Sequence, residues 1–194
     1  MPAATTLFRL AGDGATMFDG SVNGIAIAKS ANAKVLPGDA GIAIDRGLVD
    51  IAHHKDLDAL QSFTIEAAVT PTKVGTARQN IIEAQTPSVA FFIEANGKLT
   101  GSVHTAAGWV AVDSGTTLVK AGVAQRVTFA RGADGKTELQ IDAKTVGTGT
   151  VPGPIVNVGA LGFRVGLGMD DIAFPFAGTI RELSIRQVGQ VRSP

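Results

Sequence analysis

The stretch Phe63–Thr70 (FTIEAAVT) puts Phe63, Ile65, Ala67 and Val69 at every second position. Period-two alternation is the mark of a strand with one face buried and the other wet, whereas a helix would scatter these four side chains around its circumference. Shorter runs of the same character are predicted over 80–84, 89–94, 99–104, 109–113, 125–130, 137–141, 155–158 and 179–186. Asn96-Gly97 and Asp134-Gly135 each separate two such runs, and both pairs suit the positive φ of a tight hairpin. Residues 147–154 (GTGTVPGP) and 32–41 read as irregular connections. The best helical candidate is His53–Leu60, with Leu57 and Leu60 three apart, and it has room for two turns at most. Many short strands and 24 glycines predict an all-β sandwich or barrel and argue against an alternating βαβ plan.

Composition narrows the partners. With 45% apolar and 18% charged residues in 194, there is material for a substantial core, and the length suits one domain over 1–194. Residues 1–40 are expected to add N-terminal strands and a loop packed on the sandwich. Lys+Arg and Asp+Glu balance at 17 each, which removes the electrostatic case for nucleic acid or an anionic membrane. No cysteine is present, so neither a disulfide framework nor a thiolate metal site is available. The start MPAATTLFRL shows no charged segment followed by an apolar run, so no signal peptide is visible. No stretch reaches the ~18 uninterrupted apolar residues of a membrane helix, and no membrane insertion is expected.

Four segments, in order, resemble the laminin-G-like, concanavalin A-like jelly-roll family. Leu10–Gly24 looks like the family's opening strand and its Asp-x-Ser-x-Asn-Gly loop, here Asp19, Ser21, Asn23 and Gly24. Gly41–Pro71 follows its strand, short helix and Phe-Thr-Ile-Glu-Ala strand. Asn80–Gly149 is similar to its central hairpins, with Gly97, Trp109 and Asp134-Gly135 in the expected places. Phe176–Ile185 matches the closing Phe-x-Gly-x-Ile-x-x-Leu-x-Ile strand. Within that last strand, Ile180 has the opposite parity to Leu183 and Ile185, so a bulge between them is needed to bring all three to one face. Two departures stand out: Ala68 where the family often has an aromatic, and Gln125-Arg126 where a Trp commonly enters the strand leading to Phe129. The resemblance implies a two-sheet antiparallel β-sandwich of jelly-roll type with at most one short helix.

The same fold hosts glycosidases, which need two carboxyls on one strand face about 5 Å apart. Glu66, Glu83, Glu94, Glu138 and Glu182 each stand alone, and Asp56-Leu57-Asp58 lies in the short helix, where positions i and i+2 diverge. No enzymatic activity is expected, with glycoside hydrolysis a distant third choice. The run 132–137 (GADGKT) imitates the end of a phosphate loop, but Ala130 holds the position of a required glycine and a strand pattern follows Thr137. His53 and His54 are adjacent and poorly placed to clamp one metal, and His104 reads as half-buried against a neighbour. The resemblance also implies a rim calcium, for which Asp19 with Asn23 and Asp170 with Asp171 offer loop oxygens; Asx-turns are the plainer use of such residues.

Sugar faces favour Trp and Tyr, and this chain has one Trp, at 109, and no Tyr. Trp109 is the one sugar-platform candidate, against simple packing on the sheet within the apolar run 109–112. The sequence therefore ranks protein contacts first. The expected role is a non-catalytic attachment module, part of a phage virion (decoration or tail) or a bacterial cell-surface adhesin, working with other subunits and as a homo-oligomer. A calcium-assisted glycan-binding lectin is the alternative.

Overall fold

The structure, a computed structural model, describes residues 4–13, 15–37, 41–58, 60–156, 162–169 and 173–188. In chain order the strands are β1 (Thr5–Gly12), β2 (Met17–Asp19), β3 (Ile27–Lys29), β4 (Ala33–Val35), β5 (Ile42–Asp45), β6 (Val49–Ile51), β7 (Phe63–Pro71) and β8 (Gln79–Ala84). They continue with β9 (Val89–Ile93), β10 (Lys98–Thr105), β11 (Gly108–Leu118), β12 (Gln125–Arg131), β13 (Lys136–Ile141), β14 (Lys144–Thr150), β15 (Phe163–Val165) and β16 (Ala177–Gln187). Two antiparallel sheets form a sandwich. A nine-stranded sheet runs β14-β13-β12-β7-β16-β1-β2, with β5 also beside β16 and β4 outside β5; a seven-stranded sheet runs β11-β10-β9-β8-β15-β6-β3. The N-terminal strands are divided between them, with β1, β2 and β4 in the larger sheet and β3 in the smaller.

The alternation in β7 comes out as predicted: Phe63, Ile65, Ala67 and Val69 are fully buried, and Thr64, Glu66, Ala68 and Thr70 are only partly so. Hydrogen-bonded neighbours extend the inner face through Val127, Phe129, Leu139 and Ile185. The smaller sheet answers with Phe91, Ile93, Leu99, Val103, Phe163 and Val165, all of them buried. Each side chain of this size contributes roughly 1.5–3 kcal/mol by leaving water, an upper figure for a chain already partly collapsed when unfolded.

The predicted bulge is present. Between the pairs Arg181↔Ala68 and Ser184↔Glu66, β16 advances three residues while β7 advances two. Glu182 absorbs the difference at φ 51, and Ile180, Leu183 and Ile185 all reach the core with no exposure.

Other expectations are corrected. His53–Leu60 contains only a 3-10 turn at Lys55–Leu57, capped by the His54 ring accepting from the Asp56 N–H. Part of 32–41 pairs as β4. Residues 155–158 contribute a single bridge, Thr105↔Ile155, with 157 and 158 outside the described residues. The larger correction is 147–154, whose first four residues lie in β14. The β13–β14 hairpin was hidden because its turn is Asp142-Ala143, at φ 52 and 62, without the glycine that usually signals such geometry. Its glycines serve a different purpose: a Cβ at Gly147 would lie 2.2 Å from the Asp113 carbonyl oxygen of β11. End strands of the two sheets thus pack backbone against backbone, and only glycine permits it.

Two stability measurements check this account. Gly147→Ala is expected to lower the free energy of unfolding in denaturant titration by about 1–3 kcal/mol, the usual cost of overpacking. Ala143→Gly is expected to raise it by a few tenths to about 1 kcal/mol, relief of left-handed strain outweighing the added freedom of the unfolded chain.

Candidate functional site

With the interior filled, ligand chemistry falls to the outer faces and loops. On β11 the apolar run divides by parity. Val110 and Val112 turn inward against the core, and Trp109 turns outward, 44% exposed. Its cross-strand partner is His104 on β10, whose ring stands 5.1 Å away at 64°, edge to face. That contact fixes how the indole is presented. The same face continues across β9 and β8 to Arg78, whose guanidinium lies between Phe92 at 3.6 Å and Phe174 at 4.3 Å. Arg78 also donates to Asn80 Oδ1 at 2.8 Å and pairs with Glu83 at 3.6 Å, and burial lowers its pKa from the ordinary value.

Carboxylates on this face are bound to cations. Asp50 meets Arg164 at 2.8 Å, and Asp113 meets Lys98 at 3.1 Å. The carboxyls with displaced pKa values that the structure resolves, Asp13, Asp113, Asp134 and Glu138, are all shifted downward. A general acid needs the opposite shift.

Asp19 and Asn23 are brought together, but around the backbone. Asp19 Oδ1 accepts from the N–H groups of Arg9 (3.0 Å) and Ser21 (2.8 Å). Its Oδ2 accepts from the Ser21 hydroxyl (2.7 Å) and the Ile25 N–H (2.9 Å). Four donors fill the lone pairs that a calcium ion would use. Asn23 directs its Nδ2 to the Leu7 carbonyl at 2.9 Å. Asp170 and Asp171 lie outside the described residues. Among the described residues no group of three or more His, Asp or Glu side chains could hold a metal ion. His53 pairs with Asp58 at 2.8 Å, and the glycine-rich run 132–137 forms the β12–β13 hairpin.

What the linear reading missed lies on the outer face of the nine-stranded sheet. Glu66 and Glu182, solitary in sequence, are joined there by Arg126, which donates Nη1 to Glu66 at 2.7 Å and Nη2 to Glu182. Arg186 approaches Glu66 at 3.3 Å. The two carboxylates hold Arg126 charged even more firmly than usual. Beside this cluster is a cavity of about 630 Å³, bounded by Arg9, Leu10, Met17, Glu66, Ser184 and Arg186 among others. Positions 9, 66, 126, 182 and 186 become neighbours only through strand pairing, so no local spacing could have announced them.

Two antiparallel sheets packed face to face over a filled core are the general architecture of β-sandwich domains. Residues 45–188 match the laminin-G-type family described as the concanavalin A-like lectin/glucanases superfamily, and the chain belongs to it. No curated protein sequence matches the chain. Among solved structures it is similar to the binding domain of Paraclostridial Mosquitocidal Protein 1, with a TM-score of 0.77 at 10% identity, covering 96% of this chain and 49% of that one. It is also similar to the botulinum neurotoxin serotype C1 binding domain, with a TM-score of 0.74 at 14% identity and coverage of 95% and 49%. The botulinum neurotoxin DC binding domain in complex with SialylT gives 0.73 at 15% identity, with coverage of 95% and 48%. At such identities the likeness is one of fold, and the chain spans about half the length of these binding domains.

The displaced carboxyls make a pH prediction. Thr16 and Ala15 N–H groups hold Asp13 down at about 2, from an ordinary 3.8. Hydrogen bonds from Gly115 N–H and Lys98 lower Asp113, those from Lys136 lower Asp134, and those from Gln140 and Thr145 lower Glu138. A lowered folded pKa stabilises above the unfolded value and loses that stabilisation as pH falls through the folded value. The melting temperature should therefore decline as pH drops below the ordinary 3.8 towards 2, and NMR titration should place the Asp13 midpoint near 2, moving up in Thr16→Ala.

Proposed function

We propose that the domain is a non-catalytic recognition module that binds glycans, with Trp109 as the stacking platform. The observation that carries this is the outward indole: the one Trp of the chain is 44% exposed on a regular strand and braced by His104. A large amphipathic ring exposed on a strand and braced by a neighbour offers a sugar ring apolar contact at small entropic cost. Support also comes from the shared sandwich, since one similar binding domain is described in complex with SialylT.

The scarcity of aromatics favoured protein attachment over sugars, but the exposure of the one Trp on the outer face of β11 supports the sugar reading. At one side of this sandwich the end strands β11 and β14 pack against each other, which leaves less free edge there for a partner subunit. The phage virion and adhesin readings, and homo-oligomerisation, therefore have less behind them than glycan binding. Extracellular or cell-surface work fits such a module, and no helix among the described residues is long and apolar enough to cross a membrane, which says nothing of strands. A glycosidase role has the least support, because Asp50, Glu83 and Asp113 are each paired with a cation.

A glycan array tests this directly. Binding is expected, to fall at least about tenfold in Trp109→Ala, and to survive EDTA because Asp19 is committed to four protein donors. An array with no signal, or a signal indifferent to Trp109, would overturn the proposal. A monomer by light scattering weighs against the assembly reading.

A further inference from the structure

Two Asn-Gly pairs occur in the chain, Asn23-Gly24 and Asn96-Gly97, and the fold treats them differently. A glycine after asparagine leaves its backbone nitrogen open to attack the side-chain carbonyl carbon, because no Cβ stands beside it. Asn23 is withheld from that encounter. It is half-buried, its Nδ2 donates to the Leu7 carbonyl at 2.9 Å, and its N–H donates to the Ser21 hydroxyl at 3.2 Å. Asn96 lies exposed at the tip of the β9–β10 hairpin. Its Oδ1 accepts the Lys98 N–H at 3.0 Å, an Asx-turn that folds the side chain forward over the Gly97 peptide. Two contacts guard the Gly97 nitrogen. Its N–H donates to the Glu94 carbonyl at 2.9 Å, and Leu118 packs over the glycine, where an added Cβ would be 3.6 Å from Leu118 Cβ. Contacts at a hairpin tip open far more readily than those inside a sheet.

We propose that Asn96 is a site of spontaneous modification, converted in the folded protein to aspartate and isoaspartate through a cyclic imide. Hydroxide removes the Gly97 amide proton, and the nitrogen attacks Cγ of Asn96. The new N–C bond forms as the bond from Cγ to the side-chain nitrogen breaks, and that nitrogen leaves as ammonia with a proton from water. Water then opens the imide at either carbonyl. The balance is amide plus water to acid plus ammonia. During the attack Oδ1 gathers negative charge, and the Lys98 N–H already aimed at it stabilises that charge. Asp134-Gly135 makes the same turn, with the Lys136 N–H on Oδ1 at 3.1 Å and the Gly135 N–H on the Gly132 carbonyl at 3.0 Å. Chemistry spares it where geometry does not: its carboxylate, 2.9 Å from the Lys136 ammonium, repels the nitrogen anion and has no ammonia to expel. Isoaspartate adds one methylene to the main chain of a tightly closed turn. Glu94 N–H donates there to the Lys98 carbonyl at 2.8 Å, and Val119 N–H to the Gly97 carbonyl at 2.9 Å. Either product also adds a carboxylate that competes with Asp113 for Lys98, so the hairpin tip loosens.

The test is peptide mapping by mass spectrometry of the full chain held in mildly alkaline buffer made with ¹⁸O-labelled water. Acid carrying solvent oxygen should accumulate at Asn96, in proportion to hydroxide and at least about tenfold faster than at Asn23. In denaturant, where the fold no longer separates them, the two sites should convert at similar rates. Asp134 should take up no label in the native chain. Asn96→Gln, a change at an exposed tip, should fold as the parent does and lose the labelled acid, because the larger imide ring closes far more slowly. The aged parent should melt below the fresh one, and aged Asn96→Gln should not. An unmodified Asn96 in the native chain while the denatured chain converts would overturn the proposal. So would equal native rates at Asn23 and Asn96, a denatured chain that keeps the native ratio, or label at Asp134 matching that at Asn96. None of these readouts involves Trp109, so this proposal and glycan binding can fail separately.

Discussion

The distance between the two sheets is set by Phe129. Its ring meets Phe63 of the same sheet edge to face at 5.1 Å and Phe91 of the opposite sheet at 5.7 Å, tilted by 35°. Opposite it, Gly101 has no side chain, and a Cβ there would fall 2.5 Å from the ring. An aromatic from one sheet thus fills a gap left by a glycine in the other, which is how facing layers interdigitate at crystalline density. Inward positions on β7, β9, β10 and β12 take their neighbours from this contact, and outward positions are left free for polar groups.

That division places each kind of chemistry. Since the interior is filled, carboxylates and cations pair across the outer faces, where strand register chooses partners far apart in the chain. Arg126 of β12 reaches Glu66 of β7 and Glu182 of β16. Ala68, small where the family often carries an aromatic, lies on this outer face between Arg126 and Arg181. Its departure bears on the surface and costs the core nothing. One cation does enter the interior: Arg131 is 3% exposed and donates to the carbonyls of Gln61, Val151 and Gly153. It ties the chain after β14 to the end of the sandwich, and burial lowers its pKa against a smaller opposing pull from the Asp134 carboxylate.

Signals carried by neighbouring residues were legible. The period of β7, the hairpins at Asn96-Gly97 and Asp134-Gly135 and the parity break in β16 each announced their structure. The hairpin at Asp142-Ala143 was silent, since two non-glycine residues hold positive φ there under tertiary constraint. The glycines of β14 misled for a related reason: they look like a loop in sequence, yet they allow a close approach to β11.

For the surface the boundary is sharper. Composition alone made Trp109 the only Trp available to stack on a sugar, but alternation within 109–112 could not say which parity faced water. Asp19 and Asn23 were grouped correctly by spacing, whereas their engagement with Arg9, Ser21, Ile25 and Leu7 required the folded loop. By itself the sequence determined strands β7 to β13, the turns at Asn96-Gly97 and Asp134-Gly135 and the inward face of β7, because periodicity and turn propensity act over a few residues. Only the tertiary structure decided the cation-rich cavity, since strand pairing is a long-range contact and brings together residues 9, 66, 126 and 184 that local spacing leaves unrelated.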